Sequence, residues 1–123
     1  MRIPRSVREE VRKKNNGRCA YCGEQLKPRW EVDHLIPLRR DRNGGCRNPE
    51  NHNFENFMPS CVSCNRDKRN MSLEQWRSTL LHKVELLSSE SPMFRMVKRF
   101  GMIEIVDLEE IKFYFESFED GEK

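Results

Sequence analysis

Three observations predict a small α+β domain held together by a metal staple. Two Cys-x-x-Cys pairs, Cys19–Cys22 and Cys61–Cys64, flank 38 intervening residues. Each pair can offer two thiolates to one tetrahedral zinc ion, and a second pair from elsewhere in the chain completes the site. Hydrophobic residues make up only 36% of the 123 residues while charged ones make up 35%, a thin core that needs a staple at this size. Finally, helical periodicity brackets a short stretch of β-branched and aromatic residues around Asp33-His34.

The elements follow in chain order. Pro4 and the capping box Ser6-Val-Arg-Glu9 open a helix that turns Val7 and Val11 inward and stops at Asn15-Asn16-Gly17. Cys19 to Cys22 make a tight turn ending in Gly23. Trp30, Val32, Leu35, Ile36 and Leu38 predict two short strands or a bent hairpin around Asp33-His34, with Pro37 limiting the pairing. Residues 39–55 are rich in Arg, Asn and Gly and read as a long loop, a length that often carries function.

Pro59-Ser60 then precedes a helix. Cys61, Cys64, Asn65 and Lys68 recur along it at i, i+3, i+4 and i+7, so they share one face. A second capping box, Ser72-Leu-Glu-Gln75, starts a helix with the stripe Leu73, Trp76, Leu80, Leu81, Val84 and Leu87, broken over Ser88 to Pro92. A short helix over 93–100 ends at Gly101, and Met102–Val106 and Ile111–Phe115 can pair as a β-hairpin around an acidic turn. The expected organisation is a core domain over residues 1–70, a mainly helical extension over 71–118 that ends in that hairpin, and a disordered tail over 119–123.

Charge is divided along the chain. Residues 1–70 carry a net +7 and residues 71–123 a net −4. A positive field on the cysteine-bearing half suits a polyanion, and the acidic half suits docking to a protein partner. No apolar run approaches the ~20 residues that span a bilayer. The first residues lack the apolar stretch of a secretory signal. These features predict an intracellular, cytoplasmic protein with no membrane contact and reduced cysteines. A disulfide reading leaves one of the five cysteines over.

Between the cysteine pairs lie residues suited to phosphodiester cleavage, which needs an activated water, a cation on the charged oxygens and groups that hold the phosphate in line. His34 can act as the general base. Asp33 offers a hard oxygen to a divalent cation, and Asn65 can add its amide carbonyl. Asn56 can hydrogen-bond His34, fix the loop or cap the turn before Pro59, with Asn53 a rival for its role. Arg66, Lys68 and Arg69, together with Arg39 and Arg40, are candidates for substrate phosphates. Neighbouring residues on a strand point to opposite faces, so Asp33 and His34 converge only if the strand ends or bulges there. Cys46 and His52 read as a free loop cysteine and a solvated histidine.

Gly17-Arg-Cys-Ala-Tyr-Cys22, Glu31-Val-Asp-His-Leu-Ile-Pro-Leu38 and Asn56-Phe-Met-Pro-Ser-Cys-Val-Ser-Cys-Asn-Arg-Asp-Lys68 together resemble the HNH endonucleases. These are ββα-metal nucleases, and the resemblance is to the subgroup with a four-cysteine structural zinc site. It covers residues 3–70. It implies hydrolysis of DNA, most simply double-stranded, to 5′-phosphate and 3′-hydroxyl ends. His34 takes the place of the general base, Asp33 that of a ligand to the catalytic cation, and Asn56 that of the middle asparagine that orients the histidine and its loop. Asn65 stands where the family usually has a histidine, making this an H-N-N variant. That oxygen-only donor set favours Mg²⁺ or Mn²⁺ over a softer metal. The rival reading is a zinc-stapled nucleic-acid-binding module without catalysis.

Overall fold

The computed structural model, which describes residues 2–118, contains four α-helices and one two-stranded antiparallel sheet. The α+β class is as the sequence predicts. The chain divides into two compact units, one formed by residues up to Ser72 with those from Phe113 onward, the other by Leu73–Lys112. Phe113–Phe118, expected in the extension, therefore belongs with the cysteine-bearing unit. The tail expected to be disordered, 119–123, lies outside the described residues.

In the first unit, α1 spans Arg5–Lys13 and buries Val11 completely. Its cap is Pro4, with no side-chain hydrogen bond, so Ser6 sits inside the first turn and the expected capping box does not form. Asn16 and Gly17 both take positive φ, 60° and 74°, which ends the helix as the Asn-Asn-Gly run predicts. Beyond the helix, Lys14 Nζ donates to the carbonyls of Phe54 (2.5 Å) and Phe57 (2.6 Å). Burial lowers the pKa of this ammonium from its ordinary value.

The sheet pairs β1, Glu31–His34, with β2, Phe57–Ser60. His34 lies opposite Phe57, Asp33 opposite Met58 and Val32 opposite Pro59. The partner strand thus comes from beyond the loop, not from the Leu35–Leu38 segment. All four residues of β2 are buried, which removes the polar alternation by which a half-buried strand is recognised. Pro59 has no N–H for the ladder, but its carbonyl accepts from Ala20 N at 2.8 Å and so ties the first cysteine turn to the sheet.

That turn is covered by the returning chain. Tyr114 N and Phe115 N donate to Tyr21 O (3.0 Å) and Ala20 O (2.7 Å). Phe113 and Phe115 meet the Tyr21 ring edge-on at centroid separations of 6.0 and 6.3 Å, a favoured aromatic geometry. Gly23, at φ 80°, closes the turn, and a Cβ there would stand 3.1 Å from the Tyr114 ring.

Helix α2, Val62–Lys68, follows β2 directly, with Cys61 as its cap. The second unit holds α3, Leu73–Glu90, and α4, Pro92–Arg99, the latter capped by Ser91 Oγ accepting from Phe94 N at 3.1 Å. The expected hairpin after Gly101 is not formed. Short 3₁₀ turns occupy Leu108–Glu110 and Tyr114–Phe118 instead. The backbone groups a hairpin would pair are taken: Ile111 O accepts from Arg77 Nη1 at 2.5 Å, and the N–H groups of residues 114 and 115 serve the cysteine turn. No helix among the described residues is long and apolar enough to cross a membrane.

Candidate active site

The four sulfurs of Cys19, Cys22, Cys61 and Cys64 lie within 4.8 Å of one another, with Cys22 and Cys61 3.9 Å apart. A tetrahedral site with Zn–S bonds of about 2.3 Å has S···S edges of about 3.8 Å, so the donor set and its spacing fit zinc. Backbone amides support both pairs: Tyr21 N donates to Cys19 Sγ and Cys64 N to Cys61 Sγ, each at 3.4 Å. Crowding sets the thiols against one another. A hydrogen bond with Cys64 holds Cys19 down to about 4, the same bond pushes Cys64 up, and burial pushes Cys22 up to about 11. A divalent cation replaces those shared protons and removes the conflict.

Asp33 stands at the centre of a buried cluster built on the two cysteine pairs. Its Oδ2 accepts from the hydroxyl of Tyr21, which lies between Cys19 and Cys22, at 2.5 Å. The same oxygen is 3.0 Å from Lys68 Nζ, four residues past Cys64. Burial and then the Asp33 charge push the Tyr21 phenol up, so it stays protonated and donates. Lys68 is fully buried. Its ammonium also donates to His34 O at 3.0 Å, so one cation holds the Asp33 side chain and the His34 main chain together.

That placement corrects the expectation that Lys68 contacts substrate phosphates. The helical spacing does put Lys68 on the face of Cys61, Cys64 and Asn65, but this face packs on β1, where burial needs a paired charge. Removing the ammonium leaves a buried carboxylate unpaired. Lys68→Met is therefore expected to cost about 3–5 kcal/mol of stability, read as a lower midpoint in urea.

Asn65 sits on the same helix face and donates to Glu31 Oε1 at 2.6 Å. Glu31, two residues from Asp33 and on the same face of β1, is a carboxylate that the sequence reading passed over. Asn65 does not line the cleft described below; its bonded group is the amide nitrogen, while its carbonyl oxygen keeps its lone pairs.

β1 ends at His34, which is how two neighbouring residues come to share one space. Asp33 and His34 both line a cleft of about 530 Å³, with Arg40, Gly44, Gly45, Cys46, His52 and Arg69 among its other walls. His34 is half-buried; burial, and then the neighbouring His52, lower its pKa from the ordinary histidine value. Arg40 and Arg69 enter the cleft, whereas Arg39 and Arg66 are exposed outside its lining. Arg69 takes φ 53° and ψ −129° at the end of α2, an unfavourable conformation for a residue with a Cβ that costs about 1–3 kcal/mol.

His52 is not a solvated side chain. Its Nδ1 lies 3.0 Å from His34 Nε2, and both rings meet the buried Phe57 ring, at centroid distances of 5.0 and 5.4 Å. Cys46 also lines the cleft, its Sγ donating to Asn48 Oδ1 at 3.5 Å. Nothing in the spacing marks the histidine pair, since 18 residues separate them.

Asn56, buried, fixes the loop and makes none of its recorded bonds to His34. Its Oδ1 accepts from Ile36 N at 2.8 Å, and its Nδ2 donates to Ile36 O at 3.0 Å and Asn51 O at 2.7 Å. Asn53 caps the preceding turn by accepting from Asn56 N. The Asn56 amide thus clamps the segment after His34 to the segment before His52. Asn56→Ala should leave buried backbone groups unpaired, lowering the urea-derived stability by about 1–3 kcal/mol.

Comparison with known proteins gives one finding. Residues 19–71 match the family model described as HNH endonuclease. No curated protein and no solved structure is significantly similar to the chain. The match runs from the first cysteine to just past α2 and takes in the four-cysteine cluster, both strands, Asp33, His34, Asn56 and Asn65. Residues 19–71 of this chain are therefore similar to the HNH endonuclease family.

Proposed function

We propose that the protein is a metal-dependent endonuclease that hydrolyses DNA phosphodiester bonds. The observation that carries this reading is the cleft itself: a half-buried His34 and the carboxylate of Asp33 open side by side into a space also lined by Arg40 and Arg69. His34 is the general base and takes a proton from water as that water attacks phosphorus. Desolvation favours its neutral, proton-accepting form. Arg40 and Arg69 hold the phosphate oxygens, a task for which the guanidinium fork is suited.

Asp33, which lines the cleft, would hold the catalytic cation, and Asn65, outside that lining with its amide nitrogen on Glu31, would turn its carbonyl to it as the second oxygen donor, a hard set that fits Mg²⁺ or Mn²⁺. Both bonds recorded to Asp33 fall on Oδ2, which leaves Oδ1 to the cation among the described residues. When bound, the cation supplies charge for the non-bridging and departing oxygens. The four cysteines hold zinc in a structural role. The basic half of the chain supplies the field that attracts duplex DNA.

The test is the chemistry of the ends. DNA nicked in the presence of Mg²⁺ should be resealed by a ligase without prior phosphatase or kinase treatment, as 5′-phosphate and 3′-hydroxyl ends require. Binding of DNA with no cleavage under Mg²⁺ or Mn²⁺ would instead favour a non-catalytic zinc-stapled binding module.

A further inference from the structure

We infer that His52 is a positioning residue for the base, fixing His34 as the tautomer whose Nδ1 faces the reaction. The pairing of the two rings rests on geometry, while the direction of their shared proton and its kinetic consequence rest on the nuclease reading of His34.

Two imidazole nitrogens 3.0 Å apart, His34 Nε2 and His52 Nδ1, can share one proton, and a neutral ring carries its single N–H on one nitrogen only. If His52 donated, His34 would carry its proton on Nδ1 and have no lone pair free for water. If His34 donates from Nε2, its Nδ1 is bare and basic. Only the second arrangement gives a working base, so His52 accepts at Nδ1 and keeps its own hydrogen on Nε2.

The surroundings hold the pair in this register. Phe57 meets both rings edge-on, with interplanar angles of 82° to His34 and 69° to His52. The Asn56 amide ties Ile36 to Asn51, the residues just past His34 and just before His52. Lys68 fixes the His34 carbonyl from the other side.

In the reaction, the water proton moves to His34 Nδ1 while the Nε2–H bond stays intact. The new imidazolium then donates to His52 through a charge-assisted bond, stronger than the neutral one it replaces. His52 thereby resembles the partner that orients the base in other acid–base pairs.

Two substitutions separate this role from packing. His52→Phe keeps a ring against Phe57 and removes the acceptor. His52→Asn removes the ring and returns an acceptor oxygen near the position of Nδ1. Loss of such an orienting partner typically costs about 10–100-fold, so His52→Phe should lower kcat by that factor with KM and zinc content unchanged. His52→Asn should keep most of the wild-type kcat. In a long-range ¹H–¹⁵N spectrum at about pH 8.5, above the ordinary range of histidine titration, wild-type His34 should show protonated Nε2 and bare Nδ1. His52→Phe should shift His34 toward a mixture of tautomers.

A His52→Phe protein as active as His52→Asn, or a wild-type His34 protonated on Nδ1, overturns the inference. A wild type that cleaves no DNA overturns the nuclease reading instead. The spectra then still decide the pair, in its favour if the tautomer depends on His52 and against it if it does not.

Discussion

His34→Ala is expected to cut DNA cleavage by at least about 10²–10⁴-fold, the usual contribution of a positioned acid–base group. The side chain is half-buried at the end of β1 and meets His52 and Phe57, so its removal opens space but leaves no buried charge behind. Lys68 bonds the His34 carbonyl, which alanine retains. The variant should therefore keep a cooperative thermal transition and bind one zinc per chain by elemental analysis. A folded, zinc-loaded His34→Ala protein that cleaves at the wild-type rate would remove His34 from the chemistry.

Zinc removal should have the larger effect on folding. Cys19 is fully buried and its sulfur is braced by the Tyr21 amide, while Cys61 caps α2. A metal held by the four cysteines would thus join the first cysteine turn to the start of the helix that carries Asn65 and Lys68. Structural zinc in small domains contributes on the order of 10 kcal/mol at neutral pH, comparable to a whole domain's stability. Strong chelation, or Cys19→Ser, is expected to abolish the cooperative transition followed by circular dichroism, with zinc loss in parallel. A Cys19→Ser protein that binds no zinc yet melts cooperatively at the wild-type temperature would contradict a structural role. Because Tyr21 and Lys68 both hang from these knuckles and both hold Asp33, cleavage should be lost no later than the transition itself.

Much of this was legible in the residues, and the exceptions have physical causes. Paired cysteine spacing reports a metal site because ligand geometry is local, and the Asn-Asn-Gly stop of α1 is a backbone signal. Strand β2 was hidden because Phe57-Met-Pro-Ser60 is buried on both faces and contains a proline. Lys68 read as a surface cation because its charge partner lies 35 positions earlier on another element. His52 is the plainest case. Its meeting with His34 depends on how the long loop closes, and that closure rests on the Asn56 amide and the Lys14 ammonium, interactions that leave no periodic trace. The missing C-terminal hairpin shows the converse. Phe113-Tyr-Phe115 is apolar enough for a strand, but the open carbonyls of Ala20 and Tyr21 claim its amides.

The proposed nuclease would cut DNA in this cleft with a bound divalent cation and His34 as base. The most direct test of this is conversion of supercoiled plasmid with Mg²⁺, Mn²⁺ or EDTA, with purified wild-type and His34→Ala proteins side by side. Nicked or linear product is expected from the wild type with either metal, none in EDTA, and none above background from the variant. Equal cleavage by both proteins, or DNA binding by the wild type without cleavage under either metal, would contradict it.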